Sequence, residues 1–491
     1  MEKYVLAIDQ GTTSTRAMLF NHEGEVKFKA QQEVECLYPH DGWVEQDAFD
    51  LYLSVLNVIN DVLLKNNLTY DNIDSIGITN QRETTIVWDK NTGMPVYNAI
   101  VWQSRQSNSI CEEWKKYENQ VHQKTGLIMN PYFSASKIRF ILDTIPDGQK
   151  RAENGELLFG NVDTWIMYKI SNGEIYKTDV TNASRSMFFN IYTLSYDDEL
   201  LKLFNIPACM LPEVSESSSF FGYAKALKED LKICGVAGDQ QAALFGQNCF
   251  KSGESKNTYG TGCFMLMNIG EKPLISDTGL ITTVAWKIGD KVTYALEGSV
   301  FIGGASIQWL RDEMRMIKDA KESESYSRKV TSTRGVVVVP AFVGLGAPYW
   351  DNECRGAVFG LTRATKKEHF IRATLESIAL QTKDVIKTME KETNIHISTL
   401  KVDGGATANS YLMQYQSDIL SSEVLLPNCL ETTALGAAYL AGLQTGFWKD
   451  LEDIKSVHKY QRLYKPNMKK SEIKIIDKRW KTAIKATRMF K

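Results

Sequence analysis

Two glycine–threonine turns, one in each half of the 491-residue chain, constrain its fold more than any other feature. The first is Gly11-Thr12-Thr13-Ser14, between apolar runs at 4–8 and 17–20. The second is Gly260-Thr261-Gly262, preceded by Lys256-Asn257-Thr258-Tyr259. Short apolar runs around a Gly/Thr/Ser turn predict a β-hairpin and not the strand-to-helix step of a P-loop. Beyond each turn the chain carries an echo, Met18-Leu19-Phe20-Asn21 and Met265-Leu266-Met267-Asn268. The echo is short: it is either chance or the mark of a duplicated fold with two phosphate-gripping hairpins facing across a cleft.

The turns have a chemistry as well as a shape. Gly11 lets the backbone approach a ligand closely, and Thr12, Thr13 and Ser14 add hydroxyls to the turn amides. Such a concavity suits an anion such as phosphate. Asp9, at the strand end, is placed to reach a magnesium ion accompanying a nucleotide. Turns also select these residue types for conformational reasons, so on this segment alone an ordinary polar hairpin stays open.

Composition narrows the class. A chain of this length predicts two or three domains. Its 57 basic and 59 acidic side chains give a net charge of −2, which points to neither nucleic acid nor an anionic membrane as partner. The eight cysteines are scattered without a C-x-x-C pair, predicting free thiols in a reducing compartment. No signal peptide is expected, because Asp9 follows only a few apolar residues. The longest nearly apolar stretch, 336–348, is short for a membrane span and is broken by Pro340, Gly344 and Gly346.

Strand-like runs alternate with helical periodicity, the pattern of an α/β protein. Helices are expected over 50–64, 106–117, 134–142, 306–316, 366–393 and 408–420. Strands are expected over 75–79 and 400–402, and a hairpin loop at 80–83 leads into 84–88. Val236-Ala237-Gly238-Asp239 reads as a strand end, with a helix from Gln240 to Gly246. With no Pro-rich or low-complexity linker, the domain boundary is expected to be a compact hinge near 248–255.

Four constellations carry chemistry. Asp239, at a strand end before a helix, is placed as a catalytic carboxylate, and Gln240 and Gln241 bring amides to the same edge. Arg82 donates in a planar fork and Glu83 only accepts, a pairing suited to a polyol whose hydroxyls do both. The same pair also fits a solvated hairpin tip with a surface ion pair. Asp403-Gly404-Gly405-Ala406 with Asn409 fits either a turn admitting a flat base or ribose, or a helix start capped by Asp403. Trp102 and Phe264 wall a small pocket or belong to the core.

In order and spacing, from Tyr4 to about Trp448, these segments make the chain resemble the FGGY family of carbohydrate kinases. The matching elements are 9–16, 42–45, 79–85 (TNQRETT), 99–103, 163–165, 238–246 (GDQQAALFG), 257–265 (NTYGTGCFM), 306–313 and 403–406. The family's C-terminal signature is intact from Gly356 to Leu361 and from Ala373 to Glu376. Its N-terminal signature, Tyr132 through Lys137, departs at Phe140, where many members carry Trp; this is a packing change. TNQRETT together with GDQQAALFG resembles the branch acting on glycerol, not those acting on ketoses or gluconate.

The resemblance implies an α/β fold of two actin-like (ribonuclease H-like) ATPase domains facing a central cleft. Residues 1–249 would hold the glycerol site and the first phosphate hairpin; residues 250–491 would hold the second hairpin and the adenosine site. It implies ATP and Mg2+ as cofactors and transfer of a phosphoryl group to glycerol, giving sn-glycerol 3-phosphate, the first step of glycerol catabolism. Asp239 would be the general base. Glycerol would be held by Arg82, Glu83, Trp102, Tyr132, Asp239, Gln240 and Phe264. Nucleotide (ATP or ADP) would be held by Thr12, Thr13, Ser14, Arg16, Thr261, Gly304, Gln308, Gly405 and Asn409, with magnesium near Asp9. The cleft is expected to close over its substrates, and a cytoplasmic homo-oligomer, dimer or tetramer, is implied. No G-x-x-x-x-G-K-[ST], HRD or DFG element is present, which excludes the P-loop and protein-kinase classes.

Some bacterial members of the glycerol branch are activated when a phosphocarrier protein phosphorylates a histidine in the loop before the Gly-Asp-Gln-Gln segment. Here that stretch, 213–238, contains no histidine; the six are His22, His40, His122, His369, His396 and His458. It also lacks the Gly-rich basic segment that other members use for a sugar bisphosphate. Constitutive activity is expected, without phosphocarrier regulation.

Overall fold

The first hairpin forms as its sequence predicts. Tyr4–Gln10 pairs antiparallel with Ser14–Phe20, placing Asp9 opposite Arg16. In the computed structural model, which describes residues 2–351 and 353–490, this hairpin sits inside a six-stranded sheet. The order across that sheet is Ser218–Tyr223, Lys232–Gly238, Ile73–Asn80, Tyr4–Gln10, Ser14–Phe20, Val26–Glu33. Ile73–Asn80 runs parallel to both of its neighbours. Strand alternation sorts the two faces. Leu6, Ile8 and Leu19 pack with Leu51, Val55, Val58 and Val62 of the helix Ala48–Leu64. Val5, Ala7, Met18 and Phe20 pack with Ala434, Leu435 and Ala438 of the helix Thr432–Thr445.

The second half repeats the arrangement in a seven-stranded sheet ordered Ile281–Ile288, Lys291–Val300, Cys263–Gly270, Ser255–Tyr259, Thr399–Asp403, Glu423–Pro427, Tyr460–Tyr464. The hairpin Ser255–Tyr259/Cys263–Gly270 is antiparallel, two parallel strands follow it in the sheet, and an antiparallel strand closes that edge. The first sheet has the same sequence of relationships. The 27-residue helix Lys367–Thr393 then corresponds to Ala48–Leu64, and Thr432–Thr445 corresponds to Asp239–Gly246. The short Met-Leu-x-Asn echo marks a real duplication of topology.

The two corresponding helices cross between the sheets at glycines. A Cβ on Gly436 would lie 1.9 Å from the carbonyl oxygen of Ala242, and one on Gly246 would lie 2.0 Å from that of Thr432. Thr432–Thr445 also lies flush on the first sheet, where a Cβ on Gly77 would meet the Ala437 carbonyl oxygen at 2.2 Å. A helix encoded in the second half thus seals the sheet of the first. Leu266, Ala285 and Ala295 of the second sheet join the same core cluster as Val5 and Ala7 of the first. Phe140 packs edge-on against Trp43, with ring centres 5.3 Å apart.

Several local expectations are corrected. The residues after Asn80 do not fold back as a hairpin: Ile86–Asp89 leaves the large sheet and pairs with Leu157–Gly160. The expected 306–316 helix is Ala305–Asp312, and Arg315 beyond it adopts φ 51°. Asp403 caps no helix; it accepts from Gln247 Nε2 and Thr432 Oγ1, each at 2.8 Å. Asn409 caps Ser410–Leu420 instead, accepting from the Leu412 amide. The stretch 213–238 is mostly strand, Glu213–Ser215, Ser218–Tyr223 and Lys232–Gly238, which leaves a short break at 216–217 and one longer loop, 224–231.

Candidate active site

Parallel strands deliver the central residues to one place. Ile73–Asn80 and Lys232–Gly238 end side by side, Asn80 opposite Gly238, so Arg82 and Asp239 emerge as neighbours. Gly238 is required here, because a Cβ would meet Arg82 Cγ at 2.6 Å. Asp239 opens its helix, where partial positive charge and free amides favour a carboxylate. Its Oδ1 accepts from the Gln240 amide at 2.8 Å and lies 3.1 Å from Arg82 Nε; its Oδ2 accepts from Gln240 Nε2 at 3.0 Å. An ionised carboxylate offers about four acceptor positions, so Oδ2 keeps room for a hydroxyl proton. The side chain is 32% exposed, whereas Arg82 is 2% exposed.

Arg82 and Glu83 are therefore not a solvated ion pair at a hairpin tip. Glu83 is buried and holds φ 60°, a conformation uncommon outside glycine and frequent at functional turns. Its Oε1 lies 3.8 Å from Arg82 Nε and accepts from Arg185 Nε at 2.5 Å. Glu297 completes the set, accepting from Arg82 Nη1 at 2.6 Å, Arg82 Nη2 at 2.9 Å and Arg185 Nη2 at 3.2 Å. The two cations and two carboxylates balance in charge, as burial demands. Burial opposes ionisation of Glu297, but Arg185 and Arg82 overcome it and hold the carboxyl down at about 2. For Glu83 burial prevails over Arg185 and Arg82 and raises the carboxyl.

An aromatic wall faces these groups. Trp102 meets Tyr132 and Phe264 edge-on, with ring centres 5.4 and 6.4 Å apart. Burial raises the Tyr132 hydroxyl well above its ordinary value. Lys137, fully buried, donates to the carbonyl oxygens of Tyr132 and Phe133 at 2.5 and 3.0 Å and so fixes that turn. Trp102 Nε1 donates to Thr12 Oγ1 at 2.9 Å, tying the wall to the first glycine–threonine turn.

The residues expected to hold a nucleotide fall into two groups. In the first, Thr13 is exposed, and Arg16 Nη1 lies 3.7 Å from Asp9 Oδ2 and 3.3 Å from Glu431 Oε2. Burial lifts the Asp9 carboxyl to about 6 against the pull of Arg16. In the second, the Gly303 and Ala305 amides donate to the Thr261 carbonyl, and the Gly304 amide donates to that of Gly260. Gln308 is exposed on the helix that follows. Gly404 packs on Tyr259, where a Cβ would lie 2.5 Å from its carbonyl oxygen, and Gly405 beside it faces open space. Asn409 Nδ2 donates to Ser323 Oγ at 3.3 Å. Among the described residues no group of three or more His, Cys, Asp or Glu side chains could hold a metal ion. A magnesium ion carried by a nucleotide needs fewer, one or two carboxylates beside phosphate oxygens and water, and Asp9 with its hard oxygen donors fits that need.

Three residues at the centre are given no role by the sequence. Glu297 stands inside the buried strand Lys291–Val300, Arg185 is fully buried after the short helix Val180–Ala183, and Lys256 is fully buried in Ser255–Tyr259. Lys256 Nζ donates to Gln240 Oε1 at 2.5 Å and to Thr258 Oγ1 at 2.9 Å. A carboxylate inside a largely apolar strand was the available signal for Glu297; Lys256 stands in the polar strand Ser255–Tyr259, which does not single it out.

Comparison with known proteins agrees with this geometry. The N-terminal domain of the FGGY family of carbohydrate kinases matches residues 4–246, and the family's C-terminal domain matches residues 255–445. Glycerol kinase of Staphylococcus epidermidis is 55% identical, the match covering 100% of this chain and 99% of that protein. Glycerol kinase of Bacillus subtilis is also 55% identical, with 100% of both chains covered. Among solved structures, Plasmodium falciparum glycerol kinase with ADP superposes with a TM-score of 0.93 at 36% identity, over 99% of this chain and 98% of that one.

Proposed function

The chain belongs to the FGGY family of carbohydrate kinases, and from that premise we propose how its cleft works as a glycerol kinase. The observation that carries the reading is the array of Arg82, Asp239 and Gln240 bonded to one another beside the Trp102–Tyr132–Phe264 wall. Glycerol has three hydroxyls and little carbon surface, so its affinity comes from oriented hydrogen bonds. The aromatic wall excludes water and strengthens them.

Asp239 is the general base. It takes the proton of the attacking terminal hydroxyl as the oxygen–phosphorus bond forms and the bond from the γ-phosphorus to ADP breaks. Arg82, Glu83 and Gln240 orient the triol. Thr12, Thr13, Ser14, Arg16, Thr261, Gly304, Gln308, Gly405 and Asn409 hold the nucleotide, with Asp9 toward its magnesium. Magnesium, when bound, neutralises developing charge on the phosphoryl oxygens. The hairpins belong to domains divided at 249/250, joined by the crossing helices.

A coupled ADP-release assay with and without glycerol tests the reading. Turnover that depends on glycerol, with glycerol the best acceptor in a panel of polyols and sugars, is the expected result. A better rate with a ketose or gluconate would move the chain to another branch of the family. We further place the enzyme in the cytoplasm as a homodimer or homotetramer, checked by light scattering; all eight cysteines are free thiols, which suits a reducing compartment. No helix among the described residues is long and apolar enough to cross a membrane.

A further inference from the structure

Glu297 and Arg82 are 215 residues apart in sequence; Arg82 follows the end of the first-sheet strand Ile73–Asn80, and Glu297 stands in the second sheet. Glu297 lies in the second sheet, on Lys291–Val300, opposite Leu266 on one side and Ile281 on the other. From there its carboxylate takes both terminal nitrogens of Arg82, at 2.6 and 2.9 Å, a bidentate grip that fixes the plane of the guanidinium. Gln241 accepts from the same Nη1 at 3.1 Å. The one nitrogen left over, Nε, is the one that faces Asp239 at 3.1 Å.

We propose that Glu297 is a positioning residue of the glycerol site. It locks Arg82 from the opposite sheet so that Nε stays aimed at Asp239, and the site's geometry then depends on the register between the two halves. Arg185 reinforces the lock, because it bonds both Glu297 and Glu83 and its guanidinium carbon lies 5.9 Å from the centre of the Tyr132 ring. Its Nη1 finds no hydrogen-bond partner among the described residues. That buried orphan donor shows that the cluster is not arranged for self-satisfaction alone. A cluster serving only stability would be replaceable by apolar packing at little cost. This one instead spends its bidentate bond on a side chain that touches the catalytic base. The inference rests on the glycerol-kinase reading above.

The test is steady-state kinetics of Glu297→Gln, which keeps the side chain's volume but replaces one acceptor by a donor facing a donor. The glycerol KM should rise roughly 10- to 100-fold, with the ATP KM within about twofold of wild type by the same reasoning, since Glu297 meets no nucleotide residue. Because Glu297 acts through Arg82, adding Glu297→Gln to an Arg82→Lys enzyme should change the glycerol KM by less than about twofold, a non-additivity expected only of coupled residues. A purely structural role would instead lower the melting temperature of Glu297→Gln and leave its glycerol KM unmoved. Should Glu297→Gln fail to fold, the double variant Glu297→Gln/Arg185→Gln removes one charge of each sign and should show the same rise in glycerol KM. A folded variant with wild-type glycerol KM overturns the proposal. So does failure of both variants to fold, which would make Glu297 a stability residue. Wild-type protein without glycerol-dependent turnover would instead defeat the functional reading on its own, before any variant is compared.

Discussion

Lys256 donates to the carboxamide oxygen of Gln240 at 2.5 Å, and the nitrogen of the same carboxamide donates to Asp239 at 3.0 Å. The lysine comes from the second sheet and the glutamine from the helix that follows the first. Pinning the oxygen leaves the amide only one orientation, so the donor toward Asp239 is set by a cation from the second sheet. Burial lowers the Lys256 ammonium to about 8, outweighing the pull of Asp403 and Asp239; Arg82 adds to the lowering and Glu297 opposes it.

This makes activity and stability respond to alkali in opposite senses. Between about 8 and the ordinary 10.5, the unfolded chain keeps a proton that folded Lys256 releases, so this group's contribution to stability rises with pH. Over the same window its donation to Gln240 weakens, and kcat/KM for glycerol should fall above about pH 8. Lys256→Met should lower kcat/KM at neutral pH and flatten that limb. Rates measured from pH 6 to about 9.5, beside denaturant midpoints at each pH, check both halves; a descending limb unchanged in Lys256→Met would exclude the lysine as its source.

Asp239→Asn preserves the shape of the site and its bonds from Arg82 and the Gln240 amide, but it cannot take a proton. Turnover should drop by roughly 10²–10⁴, with nucleotide affinity nearly unchanged. Single-turnover kinetics together with calorimetric titration of ADP separate the two effects. Near-normal turnover would remove Asp239 from the chemistry.

What was legible in the sequence was local. Gly11 and Gly260 mark turns because glycine and threonine favour them whatever lies across the cleft, and Asp239 reads as a functional carboxylate because strand, turn and helix succeed one another there. The misreadings share a different cause. Nothing within 80–88 says that Ile86–Asp89 will abandon the sheet and pair with Leu157–Gly160, so the local pattern favours a hairpin that the fold does not form. Asp403 has the side chain of a helix cap, but its real donors, Gln247 and Thr432, are 156 and 29 residues away. Glu297, Arg185 and Lys256 owe their roles to contacts between separate elements. A single chain offers only the oddity of a buried charge to reveal them.

The Gly246–Gly436 crossing should tolerate no side chain. Gly436→Ala places a methyl group 1.9 Å from the Ala242 carbonyl oxygen, so the helices must part. Overpacking of this kind costs about 1–3 kcal/mol. Because these helices join the two sheets, the variant should also show weaker ligand-induced compaction in solution scattering. Gly446→Ala is the control for local helix effects: it lies just past the same helix, with nothing within 4 Å of its Cβ position. Its cost should come from its φ of 78° alone. An unchanged melting temperature in Gly436→Ala would mean that the crossing is looser than its contacts require.

Arg82 and Glu83 call for isosteric variants, because alanine at either site strands a buried partner. Removing one member of a buried ion pair costs about 3–5 kcal/mol, and the partners here are Glu297 for Arg82 and Arg185 for Glu83. Arg82→Ala and Glu83→Ala should therefore lose stability as well as glycerol affinity. Glu83→Gln keeps the volume of the side chain and an acceptor oxygen for Arg185. It should retain most of the stability while raising the glycerol KM, with the ATP requirement little moved. Melting curves and substrate titrations on the same preparations separate the two consequences. An effect confined to ATP would place this pair in the other half of the cleft.

The last prediction concerns control of the enzyme from outside. Relay from a phosphocarrier needs an imidazole nitrogen whose phosphoramidate transfers readily, and the basic side chains of 213–238 are Lys225, Lys228 and Lys232 alone. The structure makes substitution harder still. Lys225 and Lys228 are tied to Glu174 and Asp71 at 2.7 and 2.8 Å, and most of the stretch is strand with little freedom to present a side chain. The loop that remains, 224–231, packs Ala224 and Leu231 into the core beneath the first sheet. Incubation with a phosphoenolpyruvate-driven phosphocarrier system should leave both the rate and the intact mass unchanged. An acid-labile phosphate with a large gain in rate would show that one of the six histidines elsewhere has taken the role, and peptide mapping under neutral conditions would identify which.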